Sequence, residues 1–227
     1  MLIRTQVGVH PYFHSIEISI VRNTRTGLLF FSILMAVGAA ALLGWANWPI
    51  ARTTQTSRLH LIAPASWDAP DSRLIGGIPF DSTLIFPESI KTGQTGHYQV
   101  VLDGLPSSVV TAGKTWQLRI HSELIIPGFL NQQEGMLSQT VQDEKSLRFN
   151  WDVKASTDRR SAGVLRIYVD YFSPANQVES QLLSVTDLVL TGTSLIGLST
   201  TNVTSLAVAL LLLAGLAGGL GSSRTRA

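Results

Sequence analysis

Apolar and polar positions follow three patterns along the chain. From Thr26 to Ala51 there is no charge, and the core of this stretch, GLLFFSILMAVGAAALLGWANW (Gly27 to Trp48), holds 22 residues. At about 1.5 Å per residue a helix of that length spans roughly 33 Å, enough to cross the ~30 Å hydrocarbon layer of a bilayer. A second apolar run, VTSLAVALLLLAGLAGGL (Val203 to Leu220), has 18 residues, near the short end for a spanning helix. Between the two runs, apolar and polar residues mostly alternate.

That alternation predicts strands at Ser82–Pro87, Gly96–Leu105, Ser107–Gly113, Thr115–Ile126, Ser146–Ala155, Gly163–Phe172 and Glu179–Leu190. Trp116, Leu118 and Ile120 share one phase; so do Leu147, Phe149, Trp151 and Val153, and Leu165, Ile167, Val169 and Tyr171. A period of two with one apolar phase marks a half-buried strand. Several such strands between Gly, Pro, Asn and Asp turns predict an antiparallel sandwich with wet outer faces. About seven strands in roughly 110 residues is the size of an immunoglobulin-like domain. A barrel or a mixed α+β domain is the alternative.

Charge orients this frame. The tail Met1 to Arg25 has Arg4, Arg22 and Arg25 against Glu17, and the last six residues carry Arg224 and Arg226 without an acid. Arg52 to Asn202 carries 12 basic and 14 acidic residues. Basic residues beside spanning helices stay cytoplasmic, so both termini are expected inside and the middle outside. A cleavable leader has a 7 to 15-residue apolar stretch and a small-residue cleavage site. The first run is longer and lacks a clean A-x-A, and Trp45 and Trp48 suit an interfacial belt. An uncleaved anchor is expected.

The plan is then a basic tail (1–25), a transmembrane helix (26–50), a Pro-rich stalk (51–80), a β-sandwich (81–191), a connector (192–202), a second transmembrane helix (203–221) and a basic end (222–227). The stalk contains Pro64, Pro70 and Pro79, an exposed turn at Asp68–Arg73, and an edge-strand candidate at Leu59–Pro64. In the tail, Ser15 to Arg22 alternates as a strand would, with Ile16, Ile18 and Ile20 in phase. Small residues four apart, Ala36, Ala40 and Gly44 in the first helix and Ala214 with Gly218 and Gly215 with Gly219 in the second, would let helices approach closely in lipid.

Composition narrows the function classes. Of 227 residues 45% are hydrophobic and 14% charged, against about 25% charged in soluble domains. A net charge of +2 without a basic cluster gives no reason to expect nucleic acid. The absence of cysteine removes disulfides and thiol chemistry. A central domain must therefore be held by its core.

Few residues suggest chemistry. His10 and His14 are four apart but have no nearby acid to complete a metal shell. No HExxH, P-loop or GxGxxG occurs. GTSLIG (Gly192 to Gly197) is one residue longer than the G-x-S-x-G elbow, and no His or acid lies close to Ser194 in sequence. Asp143, Glu144 and Asp152 lack the spacing of a calcium loop. The segment Pro127–Thr140 stands out, because Phe129, Leu130, Met136 and Leu137 are interspersed with Asn131, Gln132, Gln133 and Glu134. Those apolar side chains would either anchor a partner or tuck over the end of the core.

The run LRFNWDVKA (Leu147–Ala155), a polar turn with Arg159 and Arg160, and AGVLRIYVDYF (Ala162–Phe172) resemble the paired central strands of bacterial immunoglobulin-like modules; LRIHSELIIPGF (Leu118–Phe129) resembles the strand before them. The resemblance covers residues 84–191. It implies a fold with Trp151 in the core and no activity; the cysteine pair of antibody-type domains is absent.

The resulting expectation is a membrane-anchored, mainly β protein with an extracytoplasmic, immunoglobulin-like antiparallel sandwich between two transmembrane helices of a bacterial cytoplasmic membrane. It would be a non-catalytic scaffold or accessory subunit, touching lipid and a protein partner, without cofactor or metal. The alternatives are a membrane-anchored receptor and a cell-envelope enzyme using carboxylates such as Asp152 and Asp170.

Overall fold

The alternating strands close into two sheets. The computed structural model describes residues 12–64, 67, 77–111, 114–131, 135–142, 146–173, 175 and 177–222, and for 12–25, 111, 131, 221 and 222 it is the backbone that is described. The basic ends 1–11 and 223–227, His10, the turn expected at Asp68–Arg73, Gln132–Glu134 and the pair Asp143–Glu144 lie outside the described residues. The chain divides into a sandwich unit, Pro49–Thr200, and a helical unit made of its two ends.

The strands are β1 (Thr53–Leu61), β2 (Ile78–Phe86), β3 (Ser89–Lys91), β4 (Thr95–Asp103), β5 (Ser108–Thr111), β6 (Lys114–Ile125), β7 (Phe129–Asn131), β8 (Met136–Thr140), β9 (Leu147–Ala155), β10 (Arg160–Phe172) and β11 (Val178–Thr193). One sheet has the order β1-β2-β4-β9-β7, and the other β3-β11-β10-β6-β5, with β8 also pairing β6. The β3–β11 ladder is parallel, whereas β10 is antiparallel to both β11 and β6.

The seven strands legible from alternation are present as β2, β4, β5, β6, β9, β10 and β11. Their apolar phases face one another. Leu147, Phe149, Trp151 and Val153 from one sheet and Leu165, Ile167, Val169, Tyr171, Trp116, Leu118 and Ile120 from the other are buried. Each such side chain contributes roughly 1.5–3 kcal/mol on removal from water. Phe149 stacks on Trp151 at 6.3 Å. Trp67, from the segment after β1, lies 4.8 Å from Trp116 and edge-on to Tyr171 at 5.2 Å.

Two buried tyrosines tie the entering segments to this core. Tyr171 Oη donates to the Ile62 carbonyl just after β1 (2.9 Å), and Tyr98 Oη donates to the Pro87 carbonyl just after β2 (3.2 Å). Burial pushes both phenols well above the usual tyrosine value of 10.0, because the phenolate would lose its water.

Three expectations change. Residues 53–61, expected in the stalk, form a strand paired along its whole length with β2. It is an edge strand with most positions exposed; its buried phase is confined to Leu59 and Leu61 at its end, the part that overlaps the edge-strand candidate Leu59–Pro64. The loop expected at Pro127–Thr140 holds β7 and β8, one on each sheet. In the tail, Ser15–Arg22 is helix, not strand: helix α1 runs Tyr12–Asn47 without interruption. Extending an existing helix avoids a new nucleus, and a lone strand there would have no ladder partner.

In the helical unit, α1 and α2 (Thr200–Ser222) contain apolar stretches, Thr26–Asn47 and Thr200–Leu220, long enough to cross a membrane. Ala39 and Ala46 are buried on α1; Val203, Ala207 and Ala214 are buried on α2. Ser32 Oγ donates to the Ala214 carbonyl at 2.8 Å, and a Cβ added at Gly218 would stand 3.2 Å from Ser32 Oγ. Of the small residues singled out in sequence, Ala214 is buried and Ala36 and Gly218 are half-buried; Ala40, Gly44, Gly215 and Gly219 are exposed. The packed seam follows a seven-residue spacing through Ser32, Ala39 and Ala46, because side chains seven apart return to one helix face.

A disulfide tests this seam in a chain without cysteine. A Cβ on Gly218 would lie 4.0 Å from that of Ser32, within disulfide range. Ser32→Cys with Gly218→Cys should cross-link on oxidation in detergent, giving a reductant-sensitive gel shift; Ser32→Cys with Gly215→Cys should not. For the sandwich, raised tyrosine pKa values mean stability that is complete below pH ~10, the unfolded value, and lost as pH rises above it. Alkaline titration should show tyrosinate absorbance from Tyr98 and Tyr171 appearing together with loss of near-UV circular dichroism. Their ionisation near pH 10 in a chain that stays folded would contradict this burial.

Candidate interaction surface

Side chains pointing away from the core differ between the two sheets. On the β4–β9 face, polar residues sit directly opposite one another, His97 against Asp152 and Gln99 against Asn150. His97 Nδ1 meets Asp152 Oδ1 at 2.5 Å, and Gln99 Nε2 donates to Asn150 Oδ1 at 2.9 Å. These cross-strand pairs satisfy one another at the surface.

On the other sheet, β10 is central. Asp170 Oδ2 meets His121 Nε2 on β6 at 2.6 Å, and Ser180 Oγ on β11 donates to Asp170 Oδ1 at 2.6 Å. Glu123 pairs with Arg166 at 3.5 Å, and the Arg119 guanidinium lies 4.4 Å from the centre of the Phe172 ring. The Ser180–Asp170–His121 order puts the carboxylate in the middle. Activating a hydroxyl needs the imidazole there instead, so this trio laces three strands together. The two acids considered for an enzyme, Asp152 and Asp170, stand on the outer faces of opposite sheets.

Along the β11 margin the same outer face turns apolar. Val178, Leu182, Val185 and Val189 are 43–52% exposed, and a register shift near Leu182 to Ser184 bends the strand between them. Short alternation in β11 made it recognisable as a strand, yet both its phases are apolar. Sequence therefore could not tell which phase faces out.

The four candidate partner residues divide by phase. Phe129 is buried and Leu137 is half-buried against the core, while Leu130 and Met136 are 61% and 50% exposed. The turn before β7 is fixed by the β9–β10 hairpin: Ser161 Oγ donates to the Pro127 carbonyl (2.6 Å) and Ser156 Oγ to that of Gly128 (3.2 Å). Gly128 has φ of 77°, and a Cβ there would overlap the Arg159 guanidinium.

Ser194 has an acid beside it after all, since it donates to Asp158 Oδ2 at 2.5 Å and accepts from the Gly197 amide at 3.1 Å. Thirty-six residues separate Ser194 from Asp158, so only the folded hairpin reveals the pair. It holds a turn bridged between Leu195 and Leu198, in which Ile196 and Gly197 have φ of 54° and 75°. Two successive positive φ values define a type I′ turn, where Asn and Gly are favoured. Ile196 is 93% exposed there, a strained position for a β-branched residue.

Among the described residues no three His, Asp or Glu side chains gather as a metal site would require. His60 is exposed on β1, and His14 lies in α1.

No family model and no curated protein matches the chain. Solved structures similar to it include a cohesin module from a family 33 glycoside hydrolase of Clostridium perfringens, at 9% identity over 49% of this chain and 96% of the other, with a TM-score of 0.29. WR4, a C. elegans MSP family member, overlaps 47% of this chain and 94% of its own at 9% identity and TM-score 0.25. The putative ApaA protein of Bordetella pertussis overlaps 62% and 94% at 10% identity and TM-score 0.23. Overlaps this loose identify neither family nor function.

Relieving the strained turn should stabilise the sandwich. Ile196→Asn is expected to raise its unfolding free energy by about 1 kcal/mol, the order of the left-handed penalty. Denaturant unfolding of the full chain in detergent would measure it, and a loss of stability would show that the Ile196 side chain is engaged.

Proposed function

We propose that this is a two-pass protein of a bacterial cytoplasmic membrane whose extracytoplasmic, immunoglobulin-like sandwich serves as a non-catalytic interaction module, a scaffold or accessory subunit. The observation that carries this reading is the contrast between the two outer faces. Both carry matched polar pairs, and the second also offers an apolar margin along β11. A rigid sheet presenting exposed Val and Leu side chains suits protein contact. Separation of Asp152 and Asp170 onto opposite faces weighs against shared carboxylate chemistry, which needs the two groups within one cleft.

The membrane part of the proposal rests on the helical unit. Leu28 to Phe31, Ile33, Leu34 and Val37 on α1, and Leu211 to Leu213, Leu216 and Leu220 on α2, point outward. So many large apolar side chains are compatible with lipid and costly in water. The excess of arginine at both ends favours cytoplasmic termini, and lipid would be the helices' surroundings.

Purification of the tagged full-length chain from its native membrane in mild detergent, with sizing and identification of bound chains, is the test. A stoichiometric companion protein is the expected result. A lone monomer that stays intact would overturn the accessory role.

A further inference from the structure

Strand β11 is paired on one side by β10 from Val178 to Thr191, with one register shift at Leu183. On its other side β3 accompanies only Thr191 to Thr193. The Thr191 amide donates to the Glu88 carbonyl at 2.9 Å, and there the chain departs through Pro87, which has no N–H to offer a ladder. Upstream of that point, from Ser184 to Leu190, no described strand pairs this edge.

The open stretch reads SVTDLVL and contains no Pro, Lys or Gly, the residues that commonly blunt an exposed edge or weaken a strand. Beside it lies a cavity of about 320 Å³, with Phe86 and Leu188 as its buried apolar lining and Glu88, Arg160 and Asp187 at its margin. Asp187 is exposed between Val185 and Val189, opposite Val164. Among the described residues it has no ion-pair partner.

We propose that Ser184–Leu190 is a β-augmentation site that takes an extended strand from a different polypeptide, continuing the lane β3 begins. This deepens the interaction reading above and depends on it. Main-chain hydrogen bonds to the free edge would supply affinity, and alternate side chains would supply selectivity. One phase of the incoming strand is apolar and enters the cavity over Phe86 and Leu188. The other carries a lysine or arginine opposite Asp187, flanked by apolar residues against Val185 and Val189. A second copy of this chain fits poorly: pairing Ser184–Leu190 antiparallel with itself in full register sets Asp187 against Asp187, and like charges directly opposite are destabilising.

The test uses the full-length chain in its native membrane with the photoreactive residue p-benzoylphenylalanine introduced singly at Val185, Val189, Leu130 or Met136. Irradiation should cross-link one companion protein from positions 185 and 189 and not from 130 or 136. Mass spectrometry should map the attachment to an alternating apolar segment containing Lys or Arg. Asp187→Lys should lower that cross-link at least tenfold while the melting temperature of the sandwich is unchanged, and Asp187→Asn should lower it less. A companion that co-purifies but cross-links only from Leu130 or Met136 overturns the β11 site and leaves the interaction reading standing. Cross-links of the chain to itself at 185 and 189 overturn the choice of partner. Absence of any companion in purification and cross-linking overturns both readings.

Discussion

The dry layer between the two sheets governs the rest of the sandwich. No covalent cross-link is available to a chain without cysteine, so strand positions are held by the burial of Phe149, Trp151, Tyr98, Leu118, Ile120, Val169 and Tyr171 together with the ladders. A slip of one residue would turn a strand's apolar phase into water. That requirement also places the polar residues: His121, Asp170 and Ser180 meet on the outside because their neighbours in sequence are committed to the inside. The surface network is thus a product of core registration, and each exposed ion pair adds only about 0–1 kcal/mol of its own.

Legibility in sequence tracked burial. Strands such as β9 and β10, with one dry phase, could be placed to within a few residues. β1 shows itself only at its end, in the edge-strand candidate Leu59–Pro64, because most of TTQTSRLHL is exposed on both faces. β3 and β7 are three residues each, too short for any period to show. The tail departs from its pattern for the opposite reason: Ile16, Ile18 and Ile20 alternate, yet a strand depends on a neighbour, whereas the backbone hydrogen bonds of a helix are its own. Among site residues, Phe129 and Leu137 against Leu130 and Met136 followed strand phase once β7 and β8 were known. Asp158 beside Ser194, and the open edge of β11, depend on contacts between distant segments, so no local pattern announces them.

The two units solve different solvation problems. In the sandwich every strand can present one phase to water, and large apolar residues at its surface are confined to particular margins. The helices have a narrow packed seam of small residues, Ala39, Ala46, Ala207 and Ala214, and outward surfaces rich in Leu and Phe. Close backbone approach through such residues gives van der Waals contact, while Ser32 adds a hydrogen bond to a backbone carbonyl.

The parallel ladder between β3 and β11 also sets a timetable. Ser89 waits for Thr191, about a hundred residues later in synthesis, and at roughly 5–20 residues per second that delay is on the order of 5–20 s. During it, β6 can find β5 and β8 nearby, but β3 has no ladder partner. Closure of long loops before any contact rewards it slows folding. The nascent sandwich therefore remains open on one flank until its last strand arrives, and this is the interval in which a chaperone or an early-bound partner would have most influence on the outcome.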